Sequence, residues 1–266
     1  MASMRDIKRR KDSIQSTGQI TKAMKLVSTV KLQKAKGRAE NTKPYFDLMY
    51  ETVQSILAKS GHINHKYLKE SESDKKAVIV VTANRGLAGG YNSNITRMII
   101  DEGFTKENTV VYAVGKKGRE LLERKGYEIK ADYSEAINDP IYKYAKEICD
   151  DVLSAFADGE VGEIYLAYTV FKNTVVHEPQ LIRLLPVEAD DAAHETDGSE
   201  ALMTYEPSEE EALDMIIPKY VCSLVYGALI ESVASENGAR MQAMDSATSN
   251  AEEMISTLSL KYNRAR

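Results

Sequence analysis

Apolar residues recur at helical spacing along the first part of the chain, at Ile7, Ile14, Ile20, Met24 and Val27 and again at Leu48, Val53 and Ile56, with Pro44 the only proline among them. This period predicts one helix from Ile7 to about Ala58, bent at Pro44, where a backbone donor is missing. Roughly 50 residues at ~1.5 Å each reach ~75 Å, beyond the diameter of a domain of this size. Such a helix must project.

The other end behaves similarly. Pro207-Ser208 followed by Glu209, Glu210 and Glu211 reads as a helix start, with a capping serine and acids at the positive end of the macrodipole. Pro218 is expected to interrupt this helix early. Beyond it, Met241, Met244, Thr248, Ala251, Ile255, Leu258 and Tyr262 alternate three- and four-residue steps, the narrow stripe of a left-handed coiled coil with small or flexible knobs. Packing rather than propensity holds a helix this long and this polar. Each arm therefore calls for the other, which gives an antiparallel two-stranded shaft with the intervening chain inserted at one end. Gly238, at a cost of about 1 kcal/mol inside a helix, is expected to allow close helix approach or a bend.

Between the arms the period changes. Ala77 to Thr82 is a short β-branched run, as a buried parallel strand should be. A glycine-rich turn follows, then a helix near Tyr91 to Glu102, a strand at Thr109 to Val114, a helix at Lys116 to Lys125 and a strand near Tyr127 to Asp132. A helix from Ile137 to Phe156, a strand at Glu163 to Thr169 and an edge strand at Val175 to Leu185 complete the alternation, which is βαβ grammar. Glu188 to Ser199 reads as an acidic surface loop. The expected organisation is an N-terminal coiled-coil helix (1–58), an α/β head (75–205) and a C-terminal coiled-coil helix (209–266).

Charge separates the ends from the whole. Residues 1–40 hold eleven Lys/Arg against three acids, whereas the 266-residue chain is formally −5. A basic helix can meet acidic proteins, bind nucleic acid or simply be solvated. Against nucleic acid stand the acidic balance, the lack of aromatics before Tyr45 and the absence of a base-reading motif. With 43% hydrophobic residues the chain can bury a core, and no run approaches the ~18–20 apolar residues that span a bilayer. It reads as soluble. The start carries the Arg, Lys and Ser of a transit peptide, but Asp6 and Asp12 and the lack of an apolar stretch suggest mature bacterial sequence.

Candidate catalytic chemistry is sparse. Asn84-Arg85-Gly86-Leu87-Ala88-Gly89-Gly90 lies between a strand and a helix, where phosphates bind, yet it lacks both Gly-x-Gly-x-x-Gly spacing and Gly-Lys-[Ser/Thr]. It serves either as a turn or as a nucleotide site of a dimeric enzyme. His62, His65, His177 and His194 are scattered, and Cys149 and Cys222 lie far apart in helical context, so neither a metal site nor a disulfide framework is expected. No nucleophile elbow and no distinguished carboxylate pair occurs. No cofactor is expected.

Three blocks carry a resemblance. Ile7-Lys8-Arg9-Arg10 with Thr17-Gly18-Gln19-Ile20-Thr21-Lys22-Ala23-Met24-Lys25-Leu26-Val27-Ser28, the loop Asn84-Arg85-Gly86-Leu87-Ala88-Gly89, and Ala234-Ser235-Glu236-Asn237-Gly238-Ala239-Arg240-Met241 through Tyr262-Asn263-Arg264-Ala265-Arg266 together resemble the γ subunits of rotary F-type ATP synthases. The resemblance covers nearly the whole chain. It implies a non-catalytic central-stalk rotor whose arms turn inside a ring of three α and three β subunits, with a Rossmann-like head that has no catalytic nucleotide site. It further implies that Met24, Lys25 and Arg240 face the acidic lever of β, that Arg264 and Arg266 meet the catch loop of β, and that Tyr205 and Glu206 meet the polar loops of the membrane c-ring. The ε subunit is expected on the head, and the assembly at the cytoplasmic face of a bacterial membrane. Family members continue beyond the Tyr-Asn-Arg-Ala-Arg motif into an acidic, Gly/Ala-rich tail. They include chloroplast members with a closely spaced cysteine pair, which this sequence lacks.

Overall fold

The computed structural model describes residues 4–59, 65–69, 73–187 and 208–266. The expected acidic loop Glu188 to Ser199, and His62 and His194, lie outside them. Two helices dominate: α1 (Met4–Lys59, 56 residues) and α5 (Glu209–Ala265, 57 residues). Between them come β1 (Lys76–Val81), α2 (Tyr91–Asp101), β2 (Thr109–Val114), α3 (Lys116–Arg124), β3 (Glu128–Asp132), α4 (Tyr142–Ala157), β4 (Glu163–Phe171) and β5 (His177–Leu185). The sheet order is β3-β2-β1-β4-β5, all parallel except β5, which runs antiparallel along the edge. The fold is α/β: an antiparallel pair of terminal helices with an inserted Rossmann-like head.

Strand alternation sorts the core into two faces. Ala77, Ile79 and Val81 of β1 and Val110, Tyr112 and Val114 of β2 point to α4, to the end of α1 and to α5. Val78, Val80, Val111 and Ala113 point the other way, to Ile95 and Ile99 of α2 and Leu122 of α3. On α5, Leu213, Ile217, Val221, Val225 and Leu229 are fully buried in the first face. This stripe accounts for an 18-residue window of mean hydropathy 1.5 in α5, an apolar stretch that sequence inspection did not single out. More than half of that window is buried in the head, so its apolarity serves packing.

Neither proline breaks its helix. Pro44 lies inside a continuous α1 and Pro218 inside a continuous α5, so the interruption expected at Pro218 does not occur. Interior prolines cost about 3 kcal/mol, and the neighbouring packing offsets it. Phe46 meets Tyr226 edge-on at 6.2 Å and lies against Gly227, and Ile217 beside Pro218 is fully buried. The helix expected from Ile137 to Phe156 is divided. A 3-10 turn covers Ser134–Ile137, and α4 starts only at Tyr142, because the ring of Pro140 disfavours helical geometry at Asp139, the residue before it. Cys149 and Cys222, remote in sequence, are buried free thiols of α4 and α5 in the same core.

Two measurements test this packing. Ile217→Ala should cost about 2–5 kcal/mol of unfolding free energy in a denaturant titration. Glu231 of α5 has one carboxylate oxygen buried without a partner, and burial raises its pKa, so its charged form is the costly one. Glu231→Gln should therefore raise the melting temperature at neutral pH. The gain should fade as pH falls from the raised folded-state value toward the unfolded carboxylate value of about 4.3, and be gone below it, where both side chains are neutral.

Candidate partner-binding shaft and its joint to the head

The two arms meet through small residues. Ala251 closes on Gly18, where an added Cβ would lie 3.3 Å from the Ala251 methyl. Next along the seam, the Thr21 and Thr248 hydroxyls bond at 2.7 Å, and Lys25 Nζ reaches Asp245 Oδ1 at 2.6 Å. Ser28 and Met244 are buried, and Leu32 and Ala35 pack with Ala234, Met241 and Phe171 where the shaft enters the head. Partners descend on α5 as they ascend on α1, so the pairing is antiparallel, and the stripe expected on α5 is the one used. On α1, however, the seam from Gly18 through Thr21 and Lys25 to Ser28 is polar or small. Ile20, Leu26, Val27 and Val30 stand 58–67% exposed on the side away from it. These apolar residues are the surface that sequence reading missed. The signal was available: a stripe carrying Thr248 and Ala251 demands small partners, and Gly18 and Thr21 supply them.

The joint lies where a doubly wound sheet changes direction, between β1 and β4, at the carboxyl ends of the strands, the usual crevice for a nucleotide. Here α5 fills it. The Ser235 hydroxyl donates to the Thr169 carbonyl at 3.1 Å, the Tyr91 hydroxyl donates to the Ser232 carbonyl at 3.1 Å, and Arg240 Nη2 donates to the Gly86 carbonyl at 3.3 Å. Burial pushes the Tyr91 hydroxyl pKa up, so it remains a neutral donor. Gly238 has a different use from the one expected: it admits the imidazole of His177 from β5 rather than a neighbouring helix. A Cβ there would sit 2.5 Å from the ring.

The glycine-rich loop is tied down by its asparagines. Asn84 Nδ2 donates to the Ser134 carbonyl at 2.7 Å, Asn84 Oδ1 accepts from the Lys116 amide at 3.0 Å, and Asn92 Oδ1 accepts from the Ala83 amide at 2.9 Å. Between α1, this loop and α5 lies a groove of about 790 Å³ lined by Met24, Val27, Lys31, Lys34, Arg85, Leu87 and Arg240. The structure thus gathers Met24 and Arg240 at one level, with Lys25 beside them. Met24 is half-buried at the groove, and Lys25 is held across the seam. Arg240 is engaged inward, its side chain 11% exposed and paired with Glu236 at 2.6 Å. Arg264 and Arg266 are exposed ~36 Å further along α5, at 1.5 Å per residue. Tyr205 and Glu206 lie outside the described residues.

Known proteins share this architecture. A family model described as ATP synthase matches residues 3–266. The ATP synthase gamma chain of Lachnoclostridium phytofermentans is 68% identical over 272 residues, which cover 100% of this chain and 94% of that one. The central stalk and c-ring structure of the Tetrahymena thermophila mitochondrial ATP synthase contains a chain 25% identical, with a TM-score of 0.64 over 86% of this chain and 99% of that one. A chain of the Euglena gracilis mitochondrial ATP synthase rotor shares the fold, with a TM-score of 0.72 at 17% identity over 99% of this chain and 97% of that one.

The joint makes a testable demand at Gly238. Alanine there gains about 1 kcal/mol of helix propensity but meets the His177 ring, and such overpacking costs about 1–3 kcal/mol. Gly238→Ala should be neutral to destabilising alone and more stabilising in a His177→Ala background. Equal effects in both backgrounds, read by chemical denaturation, would mean that the ring and the helix do not touch.

Proposed function

The chain belongs to the ATP synthase gamma-chain family, and on that footing we propose how its residues do the work of a rotor subunit. The shaft, residues 1–58 with 209–266, turns within a ring of α and β subunits, while the head (75–205) rides on the c-ring and carries ε. Ion-driven rotation of the c-ring is thereby coupled to ATP synthesis or hydrolysis on β, and this subunit performs no chemistry itself. It works at the membrane-bound complex as a peripheral subunit on the cytoplasmic face, touching the bilayer only through the c-ring.

The observation that carries this reading is the asymmetric shaft surface. A free rod would not leave Ile20, Leu26, Val27 and Val30 exposed on the side of α1 away from the seam, running into a groove that Val27 lines together with Lys31, Lys34 and Arg85. A ring around such a rod meets this apolar and basic face at only some angles of its turn. Coupling needs only that contact: a surface that binds one β conformation better than another shifts its population, and equal binding shifts nothing. Met24 and the groove cations receive the acidic lever of β, with Lys25 and Arg240 setting their frame. Arg264 and Arg266 engage the catch loop, and Tyr205 with Glu206 meets the c-ring. The competing reading, a nucleotide-dependent enzyme on the central sheet, is disfavoured because α5 occupies the crevice that a nucleotide would need.

Cross-linking the shaft covalently to one β subunit in the assembled complex should stop turnover, and full-rate coupled turnover after complete cross-linking would remove the rotor reading. Replacing both Arg264 and Arg266 with Ala should lower coupled ATP synthesis or assembly while leaving the helical signal of the isolated chain unchanged, because exposed charges contribute little to stability.

A further inference from the structure

Leu87 sits in a backbone state that suits it badly. Its φ is +63°, the left-handed region where a Cβ crowds the backbone, and it is the one non-glycine residue there among the described residues. Glycine or asparagine adopts that geometry with less strain. The side chain gains little burial in exchange, because it stands 65% exposed. Neighbouring contacts hold the strained turn in place. Arg240 Nη2 donates to the Gly86 carbonyl, Asn92 fixes the Ala83 amide, and Ala88 is buried with Tyr91 against Ala239 of α5. Strain of this kind persists where the surroundings over-determine it, and it gathers at sites that clamp a ligand or partner.

The surroundings of Leu87 define the chemistry of such a partner. Leu87 lines the groove of about 790 Å³ together with Met24 and Val27 of α1. Val27 carries the exposed apolar stripe of Ile20, Leu26 and Val30 into it. Both carboxylates of the groove are already engaged. Asp139 accepts from Arg38 at 2.8 Å, and Glu236 accepts from Arg240 at 2.6 Å. Lys31, Lys34 and Arg85 have no acid partner among the described residues. An exposed apolar side chain beside three unspent cations fits an acidic segment that also carries an apolar residue. The cations steer and orient that segment, and burial of apolar surface adds to its affinity.

We propose that Leu87 is the apolar anchor of the β contact, packing on an apolar residue of β's acidic lever while Lys31, Lys34 and Arg85 pair with its carboxylates. This rests on the reading above that the lever enters the groove. Leu87 belongs to the head and Met24 to the shaft, so one segment of β touches both sides of the joint and senses the rotor as a unit. The strain at Leu87 is retained because its side chain works outside this chain.

The test compares Leu87→Asn, which relieves the left-handed strain and removes the apolar side chain, with Leu87→Met, which keeps both. In the full-length chain, Leu87→Asn should raise the denaturation midpoint yet weaken affinity for purified α and β subunits by about tenfold or more, as expected for the loss of a buried apolar contact. Leu87→Met should match the wild type in both measurements. A purely structural role predicts the opposite, a lowered midpoint with unchanged affinity, and that result would overturn the proposal. Lys31→Glu combined with Lys34→Glu serves as the control for the groove. Weakened binding there with unchanged affinity in Leu87→Asn would overturn the anchor and keep the lever in the groove. Unchanged affinity in both would remove the lever from the groove as well.

Discussion

The rest of the structure depends on one helix belonging to two cores at once. The first half of α5 supplies Leu213, Ile217, Val221, Val225 and Leu229 to the interior of the head, and the second half supplies Met244, Thr248 and Ala251 to the seam with α1. No hinge separates these halves. Head and shaft therefore share a backbone ladder, and the hydrogen bonds from Tyr91, Ser235 and Arg240 pin that ladder at the point of transfer. A torque applied to the head reaches the shaft through covalent helix and buried contacts together, rather than through a flexible linker.

The same seating leaves a nucleotide-type sheet without its usual open crevice. The sheet keeps its parallel order, its switch point and a glycine-rich first loop, which are the features that elsewhere receive a dinucleotide. The crevice is occupied by α5 of the same chain, and Asn84 ties the loop to the 3-10 turn and to α3. Function on this scaffold follows from what fills the site, not from the scaffold.

Much of this was legible in the residues, where the signal was periodic and local. The strands and both long arms appear in the spacing of apolar positions, and the antiparallel shaft follows from their placement at opposite ends. What was not legible depends on distant partners. Pro44 and Pro218 look like breaks until the aromatic and aliphatic packing around them is known. Pro140, three residues into a segment read as helix, was a local signal that periodicity obscured. Ile20 and Val27 have helical spacing, but spacing alone does not say which side of the helix meets α5. Of the candidate site, Met24, Lys25 and Arg240 were found as a group, whereas the inward engagement of Arg240 with Glu236 and the loop carbonyls required the fold. The fit of His177 against Gly238 had no sequence signature at all.

The Thr21–Thr248 hydroxyl pair joins residues 227 positions apart. On a ribosome adding about 5–20 residues per second, Thr21 emerges roughly 10–45 s before its mate. During that interval the newborn first helix lacks its seam partner, and Ile20, Leu26, Val27 and Val30 are joined in the open by the residues that α5 later covers. The architecture that pairs the two ends of the chain thus also makes a long interval in biosynthesis during which the first arm has no mate.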